Sequence, residues 1–66
     1  MRVTINDAAF TLDDDSTIEH LLRLRGIDDK PCAVEVNRVL VPKREHASRT
    51  LSNGDVVEIV TLVGGG

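Results

Sequence analysis

The fold is decided by the stretch VVEIVTLV, residues 56–63, which leads directly into Gly64-Gly65-Gly66. Branched apolar side chains are enriched in β-strands, and this segment is the richest in them, so it predicts a long strand. Side chains alternate between the two faces of a strand, and here both faces are apolar apart from Glu58 and Thr61. Such a strand is either central in a sheet or keeps one face for a partner.

The same alternation assigns individual residues of this strand to its faces. Val57 and Ile59 share one face, and we predict that they belong to the hydrophobic core. Val60 and Leu62 share the other face, next to the glycines, where exposed apolar side chains would form a docking surface for a partner protein. The sequence leaves open the alternative that both faces are buried in the core.

Upstream of this strand, the sequence predicts four shorter strands and one helix. Periodic apolar residues indicate strands at about 2–6, 9–12, 33–37 and 39–41, and a helix at about 17–25. Turn-forming residues separate the strands at Asn6-Asp7, Asn37-Arg38 and 52–55. Pro42 follows the 39–41 strand and lacks a backbone N–H, which predicts that this strand lies at an edge of the sheet.

The helix has recognisable ends and one apolar side. Ser16-Thr17-Ile18-Glu19 matches the capping-box pattern, which predicts Ser16 as the N-cap with Glu19 reaching back to it. Ile18, Leu21 and Leu22 form an apolar stripe at helical spacing. Gly26 is placed to end the helix in the left-handed conformation.

The order strand, strand, helix, strand, strand, strand predicts one small α+β domain. The first and last strands are rich in branched apolar residues and could pair at the centre of the sheet. This arrangement is that of the ubiquitin-like β-grasp fold, with a mixed sheet of four to five strands and one main helix packed on one face. We assign residues 1–63 to this domain and 64–66 to a flexible C-terminal glycine tail.

The composition excludes several classes of function. A chain of 66 residues holds one domain with a thin core, which argues against a stand-alone enzyme. The one cysteine permits no internal disulfide and no cysteine-rich metal site, so a reducing cytoplasm is expected. No apolar run predicts a signal peptide or a membrane span, which would need about 20 apolar residues. The net charge of −3 argues against nonspecific nucleic-acid binding.

Three side chains capable of chemistry show no pattern that indicates an active site. Cys32 follows Pro31 at the entrance to a strand and is expected to be a half-buried packing residue, because nothing nearby would activate its thiol. His20 and His46 are expected to face solvent. Their spacing indicates neither a catalytic dyad nor a zinc site.

Two charged segments have simple structural explanations. Asp13, Asp14 and Asp15 precede the helix, where carboxylates are favoured by its dipole, and they lack the spacing of a calcium loop. Lys43, Arg44 and Arg49 are expected to lie in a solvated loop. The alternative for this basic group is an electrostatic docking patch for an acidic partner.

The glycine tail is the remaining candidate site. Glycines add no packing, so the tail is either a frayed end or a slim arm that carries the α-carboxylate of Gly66. Three residues reach roughly 10 Å beyond the strand when extended, enough to thread a narrow channel in another protein. A carboxylate must be activated before a nucleophile can attack it, and adenylation by ATP would do this. The chain has no phosphate-binding motif, so a partner enzyme would use the ATP.

Taken together, these segments resemble the ThiS family of sulfur carrier proteins of thiamine biosynthesis. The likeness covers essentially the whole chain, and it is the segments taken together, not any single one, that make it fairly specific. The segments that carry it are VTIN at 3–6, TIEHLL at 17–22, VEVN at 34–37, VP at 41–42, Leu51, GD at 54–55, VEIV at 57–60 and VGGG at 63–66.

The resemblance implies a sulfur cycle in which this chain acts as a protein cosubstrate with no bound cofactor. An E1-like adenylyltransferase of the ThiF type would activate the Gly66 carboxylate. A sulfur donor such as a cysteine desulfurase would then convert it to a thiocarboxylate, and a thiazole synthase of the ThiG type would take the sulfur. Gly66 matches the family's functional terminal residue, and Gly65 matches its preceding glycine.

Other functions stay open at this point. The small subunit of molybdopterin synthase has a similar fold and ends in two glycines, although those chains are usually longer. A sulfur carrier of another pathway is also compatible with the sequence. From a different class, the chain could be a β-grasp interaction module in which the glycines are incidental.

Overall fold

The computed structural model describes residues 1–62. Within this range, a hairpin of β1 and β2 precedes the helix α1, and a second hairpin of β3 and β4 precedes a short 3-10 helix and β5. Their bounds are β1 Arg2–Ile5, β2 Ala8–Thr11, α1 Ile18–Leu24, β3 Cys32–Val36, β4 Val39–Val41, the 3-10 helix Lys43–Glu45 and β5 Val56–Thr61.

The five strands form one mixed sheet in the order β2-β1-β5-β3-β4. β5 lies at the centre, parallel to β1 and antiparallel to β3, so the first and last strands pair there as the sequence suggested. β4 is an edge strand, as Pro42 predicted. β5 ends at Thr61, earlier than the predicted 56–63, and the boundary predicted at residues 63 and 64 lies outside the described residues.

The core lies between α1 and one face of the sheet. The predicted helix stripe is buried, with Ile18 and Leu21 at most 1% exposed, and it packs over Val34 and Val57, which are fully buried. The other buried apolar residues are Val3, Ile5, Leu12, Leu22, Val36, Val41, Leu51 and Ile59. The predicted α+β, ubiquitin-like arrangement with one helix on one sheet face is therefore confirmed.

The helix N-terminus lies one residue later than predicted. Thr17, not Ser16, is the N-cap, and its Oγ1 accepts a hydrogen bond from the His20 N–H at 3.1 Å. The Ser16 hydroxyl instead donates to the Asp13 carbonyl at 2.6 Å, closing the preceding turn. Glu19 pairs with Arg23 at 3.0 Å. The predicted capping box between Ser16 and Glu19 is therefore wrong.

The helix C-terminus is the predicted glycine-capped end. Gly26 has a φ of +71°, in the left-handed region that L side chains disfavour. Its N–H donates to the Arg23 carbonyl at 2.9 Å, and the Ile27 N–H donates to the Leu22 carbonyl at 3.0 Å. This pair of bonds is a Schellman motif, which satisfies carbonyls that the helix leaves unpaired.

Two tight turns fix the register of the outer hairpins. In Asn6-Asp7 and Asn37-Arg38, both residues have positive φ, as a type I′ hairpin turn requires, and asparagine tolerates this conformation well. Each turn joins strands that pair immediately beside it, Ile5 with Ala8 and Val36 with Val39.

The two turn asparagines also hold the central strand. The Asn6 side chain extends the β1 ladder: its Nδ2 donates to the Ile59 carbonyl at 3.1 Å, and its Oδ1 accepts from the Ile59 N–H at 2.7 Å. On the other side, Asn37 Oδ1 accepts from the Val56 N–H at 3.0 Å, and its Nδ2 donates to Asp55 Oδ1 at 3.0 Å. β5 is thereby fixed from both neighbouring strands.

We expect Asn6→Ala to lower the free energy of unfolding by about 2–3 kcal/mol, because it leaves the Ile59 N–H and carbonyl unpaired. Urea denaturation of the two proteins measures the difference. Asn53→Ala is the matched control, since Asn53 Oδ1 accepts one bond, from the Arg2 N–H, at an exposed site. An Asn6→Ala loss no larger than the control's would contradict a structural role for this side chain.

Candidate functional site

The candidate site lies where β5 ends. The Leu62 N–H donates to the Pro31 carbonyl at 2.8 Å, which ties the chain to the start of β3 just beyond the strand. Gly64, Gly65 and Gly66, the residues predicted to carry the chemistry, lie outside the described residues together with Val63. Their predicted roles therefore stay predictions.

The two faces of β5 differ sharply in exposure. Val57 is fully buried and Ile59 is 7% exposed, whereas Val60 on the opposite face is 59% exposed. Leu62, which follows the end of the strand, is also 59% exposed. The assignment of Val57 and Ile59 to the core is confirmed, and the alternative in which both faces are buried is wrong. The predicted docking role of Val60 and Leu62 stays a prediction.

We call the sheet surface opposite α1 the outer face. Side chains that alternate with the buried positions of β3, β4 and β5 form its centre, and the strand register places them side by side. They are Ala33, Glu35, Leu40, Val56, Glu58 and Val60. The outer face therefore combines apolar residues with two carboxylates.

A cleft of about 220 Å³ lies beside Leu62 on the helix side of the domain. Its walls come from α1, the loop before β3, the 3-10 helix region and the end of β5. The lining residues are Glu19, Leu22, Asp28, Lys30, Pro31, Cys32, Lys43, His46 and Leu62.

Cys32 is half-buried and packs against the core, as predicted. In residues 1–62, no group of three or more His, Cys, Asp or Glu side chains could hold a metal ion.

His46 is not solvent-facing, so that prediction is wrong. Its side chain is 6% exposed, and its Nε2 lies 3.1 Å from the Val41 carbonyl. The His46 carbonyl also accepts a bond from the Glu19 N–H at 2.9 Å. His46 thus links the end of β4 to the first turn of α1, whereas His20 is exposed, as predicted.

The two charged segments are largely solvated. All three aspartates before the helix are exposed, and Asp14 Oδ1 lies 3.2 Å from the N-terminal ammonium group. Lys43 and Arg44 are exposed and Arg49 is half-buried, in agreement with a solvated loop.

Among the described residues, no helix has the length and apolar character needed to cross a membrane.

The fold defines the class: a ubiquitin-like β-grasp protein whose central last strand is followed in the sequence by three glycines. A solved structure of the ThiS thiamine biosynthesis protein from Geobacter metallireducens matches it with a TM-score of 0.81. The two chains are 26% identical, and the match covers 100% of each.

The chain belongs to the ThiS family, whose model matches residues 2–66. The sulfur carrier protein ThiS of Bacillus subtilis is 38% identical over 53 residues, which cover 80% of each chain. A thiazole synthase of Paramagnetospirillum magneticum is 38% identical over all 66 residues, and the chain spans only 20% of its length. The prediction of a ThiS-type sulfur carrier of thiamine biosynthesis is thereby confirmed at the level of the family.

Proposed function

We propose that Gly66 carries sulfur as a C-terminal thiocarboxylate for the formation of the thiamine thiazole ring. The observation that carries the proposal is the central strand β5, which is held from both sides and is followed two residues later in the sequence by three glycines. The family model also spans these glycines. A strand that is held from both sides and is followed in the sequence by residues without side chains suits a protein that delivers its terminus to other active sites.

The proposed chemistry begins at the Gly66 carboxylate. One carboxylate oxygen attacks the α-phosphate of ATP, pyrophosphate leaves, and an acyl-adenylate forms. A persulfide sulfur of the donor then attacks the acyl carbon, and AMP leaves. A second thiol reduces the resulting sulfur–sulfur bond, which oxidises the thiols to a disulfide and releases the thiocarboxylate. Its thiolate is the nucleophile that delivers sulfur to the acceptor.

Three partner activities follow from this chemistry. An E1-like adenylyltransferase of the ThiF type supplies the ATP site, since the chain lacks a phosphate-binding motif. A cysteine desulfurase or a related donor supplies the persulfide. A thiazole synthase of the ThiG type accepts the sulfur, and this partner is supported by the likeness of the chain to part of a protein named thiazole synthase. We assign all three steps to the cytoplasm.

Docking is proposed to use the end of β5 together with Leu62, which follows it. Val60 and Leu62 are large apolar side chains that are mostly exposed, close in sequence to Gly64 and Gly65. A partner that covers them would bury apolar surface and hold the tail at the mouth of its active site at the same time. Gly64 and Gly65 would thread the channel because they have no side chains to obstruct it.

The test is ATP-dependent release of pyrophosphate by a ThiF-type enzyme, measured with and without this chain. We expect release only when the chain is present. The matched control carries one alanine after Gly66, which places a peptide bond where the free carboxylate was, and we expect no release. No release with the unmodified chain, or equal release with the extended one, would contradict the proposal. A β-grasp interaction module would bind its partner without this reaction.

A further inference from the structure

Two glutamates stand directly opposite each other on the outer face. Glu35 on β3 is the cross-strand partner of Glu58 on β5 in the antiparallel register, and both side chains are exposed. Like charges at directly opposed positions of a sheet destabilise the strand pair. The fold therefore keeps an unfavourable pair of charges between its central strand and the neighbouring one.

No basic side chain in residues 1–62 forms an ion pair with either carboxylate. The ion pairs of this part of the chain lie elsewhere, and they join the N-terminal ammonium with Asp14, Arg23 with Glu19 and Asp28, and Arg44 with Glu45. The described part of the chain therefore provides no ion-pair partner for Glu35 or Glu58.

The surroundings of the two carboxylates are apolar. Leu40 is the partner of Glu35 on its other side and is 61% exposed. Val56 and Val60 flank Glu58 on the same face of β5, at 43% and 59% exposure. Exposed apolar residues grouped in this way indicate a surface that another protein covers.

Covering this surface removes water from the carboxylates as well as from the apolar side chains. Taking two adjacent negative charges out of water is costly unless the partner provides a positive group with good hydrogen-bond geometry. An acidic or wholly apolar partner surface is therefore disfavoured. A guanidinium group suits the site because it is planar, weakly hydrated and able to bond more than one carboxylate oxygen.

We propose that the outer face docks a protein surface that places an arginine side chain against Glu35 and Glu58, with apolar contacts to Leu40, Val56 and Val60 around it. The inference rests on the proposed function and deepens it, because it states the chemistry of the partner surface that binds the outer face. We take this partner to be the activating enzyme of the proposed function, because it is the first protein that the chain would have to bind.

Glu58→Gln tests the inference, since it removes one charge and keeps the side-chain shape. We expect the dissociation constant for a ThiF-type enzyme, measured by calorimetry, to rise about tenfold. We also expect binding of the variant to depend less on salt. At the same time, the melting temperature should rise by a few degrees, because the repulsion from Glu35 is relieved. A residue that only supported the fold would not raise stability while weakening binding.

Glu45→Gln is the matched control, with the same chemical change at an exposed site on the 3-10 helix. We expect it to bind the enzyme like the unmodified chain. Equal binding of Glu58→Gln, or a lowered melting temperature, overturns the inference and leaves the carrier function intact. If the unmodified chain does not bind the enzyme at all, the inference and the proposed function both fail.

Discussion

Removing Gly65 and Gly66 is expected to abolish pyrophosphate release and sulfur transfer while leaving the domain folded. Within residues 1–62, the buried apolar residues of the core cluster lie between Val3 and Ile59, and glycine has no side chain to add to them, so we expect the deletion to leave the core intact. We expect the free energy of unfolding to change by less than about 0.5 kcal/mol, as for most surface changes. The two quantities are measured by the pyrophosphate assay and by urea denaturation of the same preparations.

The deletion also separates the carrier from an interaction module. Binding to the activating enzyme should persist in weakened form, because the outer face is intact. Full activity of the shortened chain would show that the terminal carboxylate is not the reactive group. Loss of the fold would show instead that the glycines belong to the packed domain.

The second large effect is expected from a matched pair of substitutions on β5. Val57→Asp places a carboxylate where the side chain is fully buried between α1 and the sheet. Burying an unpaired charge costs several kcal/mol, which is comparable with the whole stability of a small domain of about 5 kcal/mol. We therefore expect Val57→Asp to be unfolded at room temperature, as circular dichroism measures directly.

Val60→Asp is the same chemical change three residues away on the outer face. Val60 is 59% exposed, so the carboxylate stays in water and the domain should fold. We expect the dissociation constant for the activating enzyme to rise by tenfold or more, because apolar contact is lost and a third negative charge joins Glu35 and Glu58. Val60→Thr, which keeps the branched shape and adds no charge, should bind more tightly than Val60→Asp. An unfolded Val60→Asp would reverse the assignment of the two faces.

Much of the fold could be predicted because local patterns and tertiary packing agree. The alternation on β5, the stripe on α1 and the asparagine turns each indicate one structure, and each is found. The helix start was wrong because Ser16 and Thr17 are both good caps. Distant residues decide between them: the Leu51 N–H donates to the Ser16 carbonyl, and the Ile18 N–H donates to the Arg49 carbonyl.

Only those features of the candidate site that follow from alternation within one strand could be predicted from the sequence. Exposure of Val60 follows from alternation within β5. Burial of His46 depends on how the 3-10 helix packs against β4 and α1, and its polar neighbours in sequence gave no indication of it. The opposition of Glu35 and Glu58 depends on the register between β3 and β5, which no pattern within either strand determines.

The most direct test of the central claim is the mass of the chain after incubation with ATP, a ThiF-type enzyme, a cysteine desulfurase and cysteine, followed by fragmentation. We expect a sulfur atom to replace an oxygen atom, and the change to be confined to C-terminal fragments that contain Gly66. Sulfur added without loss of oxygen, on fragments that contain Cys32, would instead indicate a persulfide. That result, or an unchanged mass, would contradict Gly66 as the sulfur-carrying residue.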